Sequence, residues 1–307
     1  MKNYTRRRVV QTIGTAAVGA LICPTLAFDK PSEIRTRKIK SSGEDLPIVG
    51  LGTWQSFDAQ NNTELRKQLT EVLLKMNANG GSVIDSSPMY GSSEKVVGDL
   101  TSQLKIQNSY FYATKVWTSG KQAGIDQMSQ SMQKMQRSTM DLIQIHNLVD
   151  WKTHMATLKD MKSKGLIRYW GITHYTDSSH DSLAKIIKDE KPDFAQFNYS
   201  IRGRHAEKFL LNTAKENGTA VIINGPFESG SLFRAIKGKK LPEWYADLDI
   251  NSWAQYFLKY ILGEEAVNCV IPGTSKPHHV VDNMRAGHGR LPDAKERAKM
   301  VNYLNNL

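Results

Sequence analysis

Eight short β-rich runs recur along this chain, separated by longer stretches, most of helical character. That alternation limits the fold more than any single motif does. The runs are IVGLGTW (48–54), SVIDSS (82–87), YFYATKV (110–116), DLIQIHN (141–147), IRYWGIT (167–173), DFAQFN (193–198), AVIING (220–225) and NCVIPGT (268–274). Largely apolar runs of this kind suit strands buried on both faces, as in a parallel sheet. The stretches at 62–80, 126–136, 154–165, 182–191 and 205–218 read as helices; the first carries leucines at helical spacing and ends on Asn79 and Gly80, a stop signal. Methionines at helical spacing in these stretches read as core. Eight such units in one α/β chain, with no Pro/Ser-rich hinge between them, predict a single (β/α)8 TIM barrel over residues 28–307. A doubly wound open sheet is the alternative. Its dinucleotide fingerprint needs three glycines, G-x-G-x-x-G, and VGLGTWQ supplies Gly50 and Gly52 but places Gln55 third. The preceding segment, TRKIKSSGEDLPIVG, reads as a short β-hairpin turning at Ser42–Gly43, placed to cover the barrel's bottom end.

The first residues are set apart from the fold. Arg6, Arg7 and Arg8 precede a weakly apolar run from Ile13 to Ile22, and Thr25 and Ala27 are small residues before a cut after Ala27. The run falls short of the roughly 20 residues that cross a bilayer. Paired arginines before such a run resemble a twin-arginine export signal over residues 1–27, which implies the twin-arginine translocation machinery as a partner and a periplasmic destination. A short basic amphipathic helix is the plainer reading. Removing Lys2 and the three arginines, with no acid among them, takes the formal charge from +11 to +7. The remaining basic residues are scattered, with no basic stripe or nucleic-acid motif, so no nucleic-acid partner is expected. Without Cys23, Cys269 stands alone, which rules out a disulfide within the chain and a cysteine metal site. The eight histidines show no H-E-x-x-H or similar pair, and no metal is expected.

Barrel enzymes carry their chemistry at the C-terminal ends of strands. The second run ends at Asp85, with Tyr90 five residues on; the third carries Lys115 and the fourth His146. Each alone reads as an ordinary paired residue. Four such residues from three successive strand ends point to one mouth.

At this point the chain resembles the aldo-keto reductases, over about residues 35–300. The resemblance rests on GLGTW, VIDSSPMYGSSEKVVG, ATKVW, DLIQIHN, GITHY, AQFNYS and IPGTSKPHHVVDN. It matches Asp85, Tyr90, Lys115 and His146 to that family's catalytic tetrad. It implies an enzyme that reduces aldehydes or ketones with NADPH, the cofactor lying extended across the barrel mouth and the glycines of VGLGTWQ letting it approach. Tyr90 would then donate the proton. A tyrosine titrates near pH ~10, and a lysine beside it is expected to lower that value. Asp85 would hold Lys115, and His146 would orient the carbonyl.

By the same resemblance, Thr53, Trp54 and Asp85 would meet the cofactor at the first strand ends, and Thr173, His174, Gln196 and Asn224 at the nicotinamide. Phe227, Gly230 and Leu232 would wrap the pyrophosphate. Thr274, Lys276, His279, Asp282 and Asn283 would take the adenosine end. Asn224 stands where many members place a stacking aromatic, which shifts stacking to Phe227. His279 stands where an arginine often binds the 2′-phosphate, leaving Lys276 as the point charge. Trp54, Trp117 and Trp151 would line the substrate pocket, with ordinary packing as the alternative for each. A non-catalytic nucleotide-sensing barrel, and a barrel enzyme using Lys115 as a Schiff base, are the competing readings.

Overall fold

Each apolar run becomes a strand because both of its faces have somewhere to go. The computed structural model describes residues 33–307, which make one unit; the expected export signal lies outside the described residues. β1 (Thr36–Lys38) and β2 (Asp45–Pro47) pair antiparallel. The chain reverses between them with Gly43 at φ 78°, and the Ile39 carbonyl accepts from the amides of Ser42 and Gly43.

The eight strands that follow are β3 (Leu51–Gly52), β4 (Val83–Asp85), β5 (Phe111–Val116), β6 (Met140–His146), β7 (Ile167–Thr173), β8 (Phe194–Asn198), β9 (Ala220–Asn224) and β10 (Val267–Val270). Each pairs parallel with the next in sequence. Parallel bridges from Val49 to Val270 and from Gly52 to Gly273 join the first strand to the last. The sheet therefore closes, and the open-sheet alternative falls. The helices are α1 (Thr63–Ala78), α2 (Ser93–Gln103), α3 (Lys121–Lys134), α4 (Trp151–Ser163), α5 (His180–Glu190), α6 (Leu210–Asn217), α7 (Ser231–Ala235), α8 (Trp253–Leu262), α9 (Pro277–Arg285) and α10 (Ala294–Asn305). Among the described residues no helix is long and apolar enough to cross a membrane.

Strand packing explains the glycines of VGLGTWQ. A Cβ on Gly50 would stand 2.8 Å from the Val83 carbonyl oxygen, and one on Gly52 would stand 2.9 Å from the Ile271 carbonyl oxygen. Those are forbidden contacts with backbone. Gly52 is thus required at the seam where the barrel closes, and Gly50 where β3 lies against β4.

Strand alternation sorts side chains into two cores. The odd-numbered Val83, Phe111, Ala113 and Tyr169, with the even-numbered Leu142, Phe194, Ala220 and Ile222, fill the barrel interior together with Cys269 and Ile271. Ile39 and Leu46 of the hairpin join that cluster, so the hairpin plugs the bottom of the barrel as expected. The intervening residues, such as Ile84, Tyr112, Ile143 and Ile172, pack outward against the helices. Burying each large apolar side chain contributes about 1.5–3 kcal/mol. The helical reading at 205–218 splits: Phe209, at φ −161°, separates a single turn from α6. α2 went unread in the sequence although Val96, Val97 and Leu100 supply its buried face.

Candidate active site

The same alternation that fills the barrel floor with hydrocarbon delivers polar groups to its upper end. Two residues beyond each floor residue, or four, lie Asp85, Lys115, Gln144, His146, Thr173, Gln196 and Asn224. Strand register sets their neighbours: Lys115 stands beside Gln144, His146 beside Thr173, and Thr173 beside Gln196. Gly171, beside Gln144, leaves space there, because a Cβ would meet the Phe194 carbonyl at 2.7 Å.

Lys115 is wholly buried and its ammonium donates to Asp85 Oδ2 at 2.5 Å and to the Ser86 carbonyl at 2.7 Å. The other Asp85 oxygen accepts from Gln196 Nε2 at 2.8 Å and from Gln144 Nε2 at 3.1 Å. Both carboxylate oxygens are satisfied, as a buried charge requires. Gln196 Oε1 accepts from Thr173 Oγ1 at 3.2 Å and from Asn224 Nδ2 at 3.4 Å. Thr53 holds the strand end, donating to the Asp85 carbonyl at 3.0 Å and to Ser86 Oγ at 2.9 Å.

Tyr90 comes from a tight turn after β4, its amide donating to the Ser87 carbonyl at 3.0 Å. Lys115 Nζ lies 5.1 Å from the centre of its ring. The His146 ring meets it edge-on at 6.2 Å, and His146 Nδ1 is 3.3 Å from Ser87 Oγ. The fold therefore gathers the four residues read from the strand ends.

Their electrostatics differ from the expectation in one respect. Burial works against the Lys115 charge, but Asp85 and Tyr90 outweigh it, and the ammonium is held above its usual value. Burial pushes the Tyr90 phenol up; Lys115 pulls it down and Asp85 pushes it up again, for a net rise. The expected lowering fails because burial of the phenol outweighs Lys115, whose pull is in turn offset by the Asp85 carboxylate paired with it. Burial, then the Lys115 and His174 charges, lower His146 to about 3, so its imidazole is neutral at ordinary pH. A charged, fully bonded Lys115 is also a poor amine nucleophile, which removes the Schiff-base reading.

The remaining candidates divide. Thr173, Gln196 and Asn224 line the mouth, and His174 and Lys276 are reachable from solvent. Trp54 and Trp117 are exposed at 54% and 42%, and the Trp117 ring is 6.4 Å from that of His146. Phe227 is half-buried and packs on Phe233 at 4.9 Å, and Gly230, at φ 81°, precedes α7. Thr274 is buried and within 3.5 Å of His279 Nδ1. Five of the assigned side chains are engaged elsewhere in the fold. Leu232 is fully buried in the main core. Thr53 is fully buried and spent on Asp85 and Ser86. Trp151 packs against the helix-side core. Asp282 accepts from Ser252 Oγ at 2.7 Å and from Gln255 Nε2 at 2.6 Å, tying α9 to the start of α8; its neighbour Asn283 is buried. Sequence reasoning missed Gln144, although it lies two residues before His146 and so on the same strand face. It also missed Glu228, in the loop read as a phosphate wrap, which accepts from Ser200 Oγ at 2.5 Å and from Ser231 Oγ at 2.9 Å.

A closed parallel barrel with a buried acid–lysine pair under a tyrosine at its mouth is the arrangement of a barrel oxidoreductase. The model of the aldo/keto reductase family matches residues 48–301, and the chain belongs to that family. Among curated relatives, "Methylglyoxal reductase YeaE" of Escherichia coli (strain K12) is 25% identical, over 81% of this chain and 89% of its own length. The "NADH-specific methylglyoxal reductase" of the same strain is also 25% identical, over 84% of this chain and 95% of its own. An aldo/keto reductase from Klebsiella pneumoniae, solved in complex with NADP and acetate, superposes with a TM-score of 0.73, at 22% identity, over 90% of this chain and 96% of that one.

Proposed function

We propose that this protein reduces aldehydes or ketones to alcohols with NADPH, Tyr90 supplying the proton. The observation that carries this reading is the buried Lys115–Asp85 pair set 5.1 Å from the Tyr90 ring. Burying two charges is costly, and the pair ends directly beneath a phenol that also meets the neutral His146. When bound, the nicotinamide supplies the hydride to the carbonyl carbon. Tyr90 gives its proton to the oxygen, and Lys115 stabilises the phenolate left behind. With Nδ1 accepting from Ser87, His146 keeps a proton on Nε2 and donates it to the carbonyl oxygen, fixing its direction. Asp85, gripped by Gln144 and Gln196, keeps Lys115 in place.

The residues fit a nicotinamide. Asn224 presents an amide donor and acceptor at the rim, and its own bonds, to the His174 carbonyl at 3.3 Å and to Gln196 at 3.4 Å, are long enough to exchange for a ligand's. Lys276, exposed before the first turn of α9, is the cation for the adenosine phosphate. The relatives named as methylglyoxal reductases make a small oxoaldehyde the first substrate to try. Tryptophan fluorescence titrated with NADPH and NADH, followed by loss of NADPH absorbance on adding methylglyoxal, tests the reading. NADPH binding tighter than NADH binding, with turnover, is expected; binding of neither sinks it, and binding without turnover of any carbonyl favours the non-catalytic barrel.

The reduction rate is expected to stay flat from about pH 5 to pH 9, and to fall only as the Tyr90 proton is lost above about pH 10. His146, at about 3, is neutral throughout that range, and the raised Tyr90 keeps its proton. An inflection near pH 6 or 7 in single-turnover rates would contradict both assignments.

Export by the twin-arginine route to the periplasm is part of the proposal, resting on Arg6, Arg7 and the run from Ile13 to Ile22. That route carries folded proteins, so the cofactor would be loaded before export and held tightly. Replacing Arg6 and Arg7 by lysine is expected to retain the protein in the cytoplasm; unchanged fractionation, or periplasmic protein that still begins at Met1, refutes it.

A further inference from the structure

The fold brings together histidines that the sequence keeps apart. Asp177 opens a single turn after β7, His180 is the first residue of α5, and His205 opens the single turn that follows β8. A carboxylate oxygen and one nitrogen from each ring all lie within 4.8 Å of one another. His180 is fully buried, His205 is half-buried and Asp177 is exposed.

We propose that Asp177, His180 and His205 bind one divalent transition-metal ion of the zinc class, which clamps the turn after β7 to the turn after β8. His180 Nδ1 and His205 Nδ1 face each other at 2.9 Å. Two ligands on one ion, each at about 2.0–2.1 Å, stand about 3 to 3.4 Å apart, so the ring nitrogens already hold nearly the spacing that an ion imposes. Without an ion, a single proton sits between them. The outer partners are those a metal site needs. Asn198 Oδ1 is 3.0 Å from His180 Nε2, and because Asn198 Nδ2 donates to Asp177 Oδ1 at 2.6 Å, its oxygen can only accept. His180 therefore carries its proton on Nε2 and turns a bare Nδ1 lone pair toward His205, the tautomer that metal-bound histidines adopt. Asn198 grips Asp177 Oδ1, which stands 3.9 Å from His180 Nε2, so the carboxylate turns its second oxygen toward the Nδ1 pair to become the ligand. The present spread of up to 4.8 Å is wider than that of a filled site, and the half-exposed Asp177 side chain is the one free to close it.

The site has an approach from solvent. Asp177 and Asn198 also line a cavity of about 360 Å³ with Tyr175, Ser200, Gly225 and Glu228, which leaves room for water on the remaining coordination positions. A soft thiolate is absent from the donor set, and two imidazoles with a carboxylate suit zinc, cobalt or nickel better than calcium or magnesium. The proposal does not rest on the reductase reading, since neither His180 nor His205 has a part in it.

The test uses the full chain without a histidine tag, stripped with a chelator and titrated with zinc chloride by calorimetry and with cobalt chloride by absorbance. One ion per chain is expected, with binding about tenfold or more weaker in His205→Ala and in Asp177→Asn. His278→Ala serves as the control, because the adjacent His278 and His279 rings, 4.3 Å apart, are the rival donors. Should His205→Ala misfold, Asp177→Asn, a change of one atom type on an exposed side chain, carries the test. No binding, equal binding in the variants, or loss of binding in His278→Ala overturns the proposal.

Discussion

Tyr90→Phe is expected to lower carbonyl reduction by about 10²–10⁴-fold while leaving cofactor affinity unchanged. The phenyl ring keeps the edge-on packing with His146 and removes only the hydroxyl that carries the proton. The comparison to make is kcat against the dissociation constant of NADPH, measured on one preparation. A variant that retains full activity excludes Tyr90 as the acid. A variant that loses cofactor binding in proportion assigns the hydroxyl to binding instead.

Lys115→Met is expected to have the second large effect, on stability as well as rate. Asp85 would keep its two glutamine donors but lose the ammonium, leaving a buried carboxylate without a counter-charge. Breaking such a pair costs about 3–5 kcal/mol. The double variant Asp85→Asn/Lys115→Met should recover much of that stability and none of the activity, since it removes both charges. Because the folded protein holds the Lys115 proton more tightly than the unfolded chain does, the stability linked to that proton is full at neutral pH and is lost as pH rises past about 10. Urea midpoints at pH 7 for the three proteins check this. A single variant as stable as the parent would mean that the pair contributes nothing to folding.

Much of this was legible in the sequence for a simple reason. Period-two alternation places residues on one strand face, so runs ending in Asp85, Lys115 and His146 had to send those groups to the same mouth once the sheet closed. The hairpin announced itself through Ser42–Gly43, where a positive φ is needed. What stayed hidden depends on contacts between distant segments. Nothing near Asp282 signals that Ser252 and Gln255 will occupy it, and nothing in SGSLF tells that Leu232 turns into the core. The direction of the Tyr90 shift was hidden too, because it follows from depth of burial and from Lys115 being already neutralised. The His180–His205 contact crosses from one loop to the next, so no spacing rule could have found it.

The seam between β3 and β10 has a kinetic meaning. Its bridges, Val49 to Val270 and Gly52 to Gly273, join residues separated by most of the chain, whereas every other strand pair joins neighbours in sequence. Loop-closure entropy falls most heavily on that one contact, and non-local pairing is what slows folding. The barrel can therefore assemble as a growing curved sheet from β4 onward and become a closed cylinder only at the last step. Until then, the edges of β3 and β10 stand open to pairing with other chains. Gly52, without which the two edges could not approach, is in this light the latch of the folding pathway as well as part of its product.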